Sequence, residues 1–164
     1  MHRLKRDMRK PTPEAQLRSF IDRFDPKDQK LIRSVRSAVR KRFPTANELA
    51  YDYYPSFVIA YSPTDRGIDA IVSITARAAG VDLYFNDGTQ LPDPKKLLLG
   101  SGKQTRFIRV DAASRLAHPD VKALIAAAID YAIVPLPSTA KGSLIIKTNK
   151  DGAAKQRPRR GPTK

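Results

Sequence analysis

Three tyrosines fall within four residues, Tyr51, Tyr53 and Tyr54, and Asp52 lies among them. A carboxylate hemmed in by rings is held protonated more easily than one in water and can act as an acid. Exposed strand aromatics can stack bases or line a ligand pocket. Tyr51, Asp52 and Tyr54, with Tyr61 on the next strand, Arg66 in the following turn and Lys103 in a glycine-rich turn, are therefore the candidate pocket residues. On extended backbone Tyr51 and Tyr53 share one face and Tyr54 takes the other, so at least one ring must reach solvent or a cavity. The plainer reading is an ion-paired Asp52 and tyrosines that each fit an apolar body with a wet hydroxyl. No histidine stands near Asp52 as a second catalytic group, and the chain has no Cys to serve as a nucleophile. Binding rather than catalysis is the expectation.

The run Gly100-Ser101-Gly102-Lys103-Gln104 has the look of a phosphate loop, but Leu97 and Gln104 stand where a Walker loop requires Gly and Ser or Thr. It reads as a glycine-rich turn into a strand, with a backbone nest for an anion as the alternative. Lys30, Arg33, Arg36 and Arg40 recur at three- and four-residue steps, a stripe that can track phosphates and that we place opposite the apolar face of its helix. Neither His2 nor His118 has metal-ligand spacing to another histidine.

The whole chain carries 31 Lys and Arg against 16 Asp and Glu in 164 residues, a net charge of +15. Residues 1–10 hold five basic and one acidic side chain, and residues 141–164 eight and one, so most of the excess sits at the ends. The last stretch includes Lys155, Arg157, Arg159 and Arg160 and has no apolar face. Such a segment cannot bury enough surface to offset its ordering entropy, so residues 148–164 are expected to be a disordered basic tail and residues 1–13 a flexible basic arm. With Arg33, Arg36 and Arg40, these tail residues are the candidate anion-binding set, for an anionic partner such as a nucleic acid or an acidic protein. The opening residues run into Pro11 and Pro13 where a signal peptide would be apolar, and residues 121–136 are too short and too charged to span a bilayer. With no Cys to form disulfides, a cytoplasmic protein without a membrane partner is expected.

The elements that must position these groups follow from periodicity. Leu17, Phe20, Ile21 and Phe24, then Leu31, Ile32, Val35, Val39 and Phe43, keep helical spacing. Asp25 and Pro26 mark the start of the second helix and Pro44 its stop. From Glu48 the period becomes two. Phe57, Ile59 and Tyr61 form one strand face, Ile68, Ala70, Val72 and Ile74 the next, and Val81, Leu83 and Phe85 the next, joined by short turns as in an antiparallel meander. Arg106 to Val110 adds a strand, and Val121, Leu124, Ile125 and Ala128 form a closing helix behind Pro119 and Asp120. Residues 143–147 can add a late edge strand. The expected domain, residues 14–147, is α+β: an antiparallel sheet of about five strands with N-terminal and C-terminal helices packed on one face.

Several of these segments in order carry a family resemblance. Phe43-Pro44 through Asn47-Glu48-Leu49 and Tyr51-Asp52, Tyr61-Ser62-Pro63-Thr64-Asp65-Arg66, Asp69 to Ile74, and Leu91-Pro92-Asp93-Pro94 with Gly100 to Gln104, Arg106 and Ile108, together resemble the YdhG-like family of small bacterial domains. The resemblance covers roughly residues 14–133. It implies a two-layer, frataxin-like fold and, through a member proposed as an iron chaperone, iron as the cargo. Frataxin-type sites are acidic ridges on the first helix and the adjacent strand edge, so the resemblance implies Glu14, Asp22 and Asp25 as the iron ligands. Here that ridge is interrupted by Arg18, Arg23, Lys27 and Lys30, which repel a cation. The leading expectation is a YdhG-like binding domain, with iron chaperoning implied by the resemblance. The alternative is a nucleic-acid-associated protein that holds phosphates with its tails and second helix.

Overall fold

The computed structural model describes residues 11–147. Helix α1, Pro13–Ile21, starts where the hydroxyl of Thr12 accepts from the Ala15 amide at 3.1 Å, so the folded domain begins inside the stretch expected to be flexible arm. The Asp25 carboxylate caps α2, Pro26–Arg42, by accepting from the Asp28 amide at 3.0 Å, and the helix ends just before Pro44. A third helix, α3, Pro119–Tyr131, is capped by His118, whose Nδ1 accepts from the Asp120 amide at 3.1 Å. In each case a proline in the first turn lacks the N–H that the helix could not have paired anyway.

Between α2 and α3 run β1 (Asn47–Tyr53), β2 (Ser56–Ser62), β3 (Val72–Arg77), β4 (Gly80–Phe85) and β5 (Arg106–Arg109), each antiparallel to the one before. The sheet departs from the expected antiparallel five at its other edge. A sixth strand, β6 (Leu144–Lys147), pairs in parallel with β1, Glu48 opposite Leu144 and Tyr51 opposite Lys147, so the sheet is mixed with order β5-β4-β3-β2-β1-β6. The reason is the crossover. After β5 the chain runs through α3 to the opposite edge and re-enters in the direction of β5, which is also that of β1.

Gly142 makes this return feasible. Its amide donates to the Pro44 carbonyl at 3.1 Å, and a Cβ there would lie 1.7 Å from the Ala46 carbonyl oxygen. Next to it the Ser143 amide donates to the Asn47 side chain at 3.0 Å. A second departure concerns Ile68, expected on a strand. Residues Gly67–Asp69 form a 3-10 turn and Ile68 is 74% exposed. The Ser62 hydroxyl donates to the Arg66 carbonyl at 2.8 Å and the Thr64 hydroxyl to Asp69 at 2.8 Å, local bonds that draw the backbone out of the ladder.

Side chains from all three helices join one sheet face in a single apolar cluster: Leu17 and Phe20, Val35 and Val39, Leu124 and Ile125 meet Phe57, Ile59, Ile74 and Leu83. Each such side chain contributes roughly 1.5–3 kcal/mol when fully buried. The opposite face carries a smaller cluster around Leu49, Tyr51 and Ala60, and beyond it Tyr84 stacks on Phe107 with ring centroids 4.9 Å apart. Among the described residues no helix is long and apolar enough to cross a membrane.

Candidate functional site

Strand alternation turns Glu48 toward the helices, where it is 1% exposed. A buried carboxylate must be paired and hydrogen-bonded, and this one is. Arg36 donates to it twice, Nε to Oε2 at 2.9 Å and Nη2 to Oε1 at 2.7 Å; the Tyr61 hydroxyl donates to Oε2 at 2.7 Å, and Arg40 donates to Oε1. The far edge of the Arg36 guanidinium donates to Glu14 on α1 at 3.2 and 3.0 Å, so one cation is clasped between two carboxylates. Burial opposes the charge on Arg36, but its hydrogen bonds to Glu48 and Glu14 outweigh that and raise its pKa. Burial, seconded by Glu48, lifts the Tyr61 phenol well above its usual range, which keeps it a donor. The hydrogen bonds from Arg36 hold Glu14 below the ordinary carboxylate value.

Above this network α1 and α2 leave a cleft of about 420 Å3, lined by Leu17, Ile21, Ser37, Glu14 and four arginines, Arg18, Arg33, Arg36 and Arg40. Arg33 is loosely held, its Nη2 3.9 Å from Asp22 and 3.4 Å from the Gln29 side chain. Arg18 is exposed and makes no ion pair among the described residues. The cleft is therefore cationic, with two of its guanidiniums fixed by Glu48 and two near solvent.

The structure brings Arg33, Arg36 and Arg40 together as anion candidates but corrects their setting. Arg36 and Arg40 do not lie opposite the apolar face of α2; Arg36 follows the buried Ile32 by four residues and so shares its stripe, where the neighbouring strand supplies Glu48. Lys155, Arg157, Arg159 and Arg160 lie outside the described residues. The tyrosine set is dispersed. Asp52 takes a two-pronged bond from Arg23, both contacts at 2.8 Å, and accepts from the Tyr54 amide at 3.0 Å. Arg23 stands 4.9 Å from the Phe20 ring centroid and 4.7 Å from that of the exposed Tyr54. Tyr51 belongs to the opposite sheet face, Tyr61 is buried at Glu48, Arg66 sits near Asp69 at 4.0 Å, and Lys103 is exposed in the connection after β4.

The three carboxylates implied as iron ligands are each engaged: Glu14 by Arg36, Asp22 by Arg33 at 3.9 Å, Asp25 by the amide it caps. Among the described residues no group of three or more His, Asp or Glu could hold a metal ion. Two functional-looking acids escaped the sequence reading, Glu48 and Asp82. Asp82 is fully buried on the other sheet face between Arg77 and Arg109, each donating at 2.6 Å, and that bond raises the Arg109 pKa. The available signal was a carboxylate inside an alternating apolar strand, which has to find cations at the matching register.

Comparison with protein-family models, with curated proteins and with solved structures yields no match to this chain.

Proposed function

We propose that this chain is a binding domain for a phosphate-bearing polyanion, a nucleic acid, and that its folded contact surface is the cleft between α1 and α2. The observation that carries the reading is the gathering of Arg18, Arg33, Arg36 and Arg40 around one cleft in which Glu14 is the one acidic lining residue among the described residues. Guanidinium forks match phosphate oxygens in pairs and stay charged at all physiological pH. Glu48 and Glu14 take the donors of Arg36, and Glu48 holds Arg40, so Arg18 and Arg33 are the forks left to pair with an incoming phosphate. The net charge of +15 adds a long-range attraction and a fast encounter. The helices gathered on one sheet face fit the frataxin-like arrangement that the YdhG-like resemblance implies. An iron-delivery role rests on that resemblance alone: Arg36 pairs with Glu14, and Arg18, Arg23, Lys27 and Lys30 stand along the ridge where they repel a cation.

The test is a salt titration by fluorescence anisotropy with a short labelled DNA duplex. Each phosphate contacted contributes a slope of about −0.9 in log K against log salt. The double variant Arg18→Gln, Arg33→Gln is expected to flatten the slope by about two such contacts and to weaken binding on every sequence alike. Deletion of residues 149–164 in the same titration separates the tail's share. An unchanged slope in the double variant removes the cleft from the reading.

A further inference from the structure

A different cavity, of about 260 Å3, lies where the β2–β3 connection, the turn after β4 and the end of α3 meet. Its lining is mixed: Ile71, Leu91, Ala128 and Val134 form apolar walls, and Asp69, Asn86, Asp87 and Gln104 a polar side. Of the five large hydrophobic side chains exposed among the described residues, three stand on its rim: Ile68 at 74%, Tyr131 at 41% and Ile133 at 81%. Grouped exposed apolar side chains around a concavity mark a contact site, whereas scattered ones do not.

Its charge is opposite in sign to the net charge of the chain. The charged residues lining it are Asp69 and Asp87, in a chain with nearly twice as many cations as acids. Both carboxylates have neutral donors as their close partners. Asp69 accepts from the Thr64 hydroxyl at 2.8 Å and Asp87 from the Gln104 side-chain amide at 2.6 Å; the cation near either is Arg66, 4.0 Å from Asp69. A neutral donor orients a carboxylate without cancelling its charge, so each keeps acceptor capacity for a cation. Pockets for drug-sized ligands run from roughly 300 Å3 upward, which makes this one fragment-sized. We propose that this pocket binds a small organic cation, an apolar body carrying one ammonium group, with the apolar walls taking the body and Asp69 and Asp87 the charge. The proposal is independent of the polyanion reading, which concerns another cleft of opposite sign.

The experiment titrates the full, nitrogen-15-labelled chain with phenethylamine, phenethyl alcohol and 3-phenylpropanoate, three probes with one ring and three charges. Phenethylamine is expected to shift the amides of Ile68, Asn86 and Ile133 saturably and to bind at least tenfold tighter than the acid. Asp87→Asn should remove most of that preference. Ile133→Ser, at an exposed position that leaves the fold intact, should weaken the amine and the alcohol alike. Equal affinity for amine and acid, shifts centred elsewhere, or no saturable shift with phenethylamine overturns the proposal. So does binding confined to a lysine-bearing apolar peptide, which would make the pocket a peptide-docking site.

Discussion

Glu48 meets three donors on side chains, Arg36, Arg40 and Tyr61, and is itself 1% exposed. Removing the charge of one buried partner strands the others, which costs about 3–5 kcal/mol where the pair is fully enclosed. Glu48→Gln is expected to lose about 3 kcal/mol in urea unfolding at neutral pH, since Arg36 and Arg40 keep some contact with solvent. Glu14 behaves differently because it is 58% exposed. Its folded pKa lies below its unfolded value of 4.5, so its contribution is fully present above that pH and is lost as pH falls through the folded value. Glu14→Gln should therefore melt below the native chain at neutral pH, and the gap should close on acidification below about pH 4.5, as a pair of melting curves at each pH would show. Little of this was legible beforehand. That Arg36 follows Ile32 by four residues could be counted along the chain, but the carboxylate that neutralises it comes from a strand whose register to the helix no local pattern states.

Two helix starts were readable, because Pro26 and Pro119 each precede an apolar stripe, whereas the start at Thr12 and Pro13 was assigned to the arm. Strands β1 to β5 were readable from alternation, with the miss at Ile68, where side-chain bonds from Ser62 and Thr64 compete with the ladder. The direction of β6 was unreadable, since four residues, Leu144 to Lys147, pair equally well either way and the crossover decides. Gly142 is the element-scale test of that crossover. A Cβ at this position meets backbone, which cannot swing aside as a side chain can. Gly142→Ala is expected to release β6 selectively, with amide exchange rising at Ile145 and along β1 while α3 and β4 stay protected, so the melting temperature falls by only a few degrees.

At the scale of the molecule, the α+β class and the order helices, strands, helix follow from periodicity, whereas the α1–α2 cleft needs the mutual placement of two helices and so could not be read from either. The dispersal of the tyrosine set has the same origin: Tyr51 and Tyr61 are close in sequence but lie on opposite faces of one sheet. The parallel sixth strand also bears on whether copies of this protein would pair through their sheets. Without it, β1 would be an outer strand of seven residues, Asn47–Tyr53, with Leu49 and Tyr51 along its length and a row of unpaired amides beside them. Such an edge is a template for another chain, and short or covered edges are how sheet proteins avoid it. With β6 in place both outer strands, β5 and β6, are four residues long. A chain ending at residue 141 is therefore expected to dimerise or polymerise edge to edge at concentrations where one ending at residue 148 sediments as a single species. β6 is in that sense a guard against self-recruitment, and its loss would convert a solitary sheet into an adhesive one.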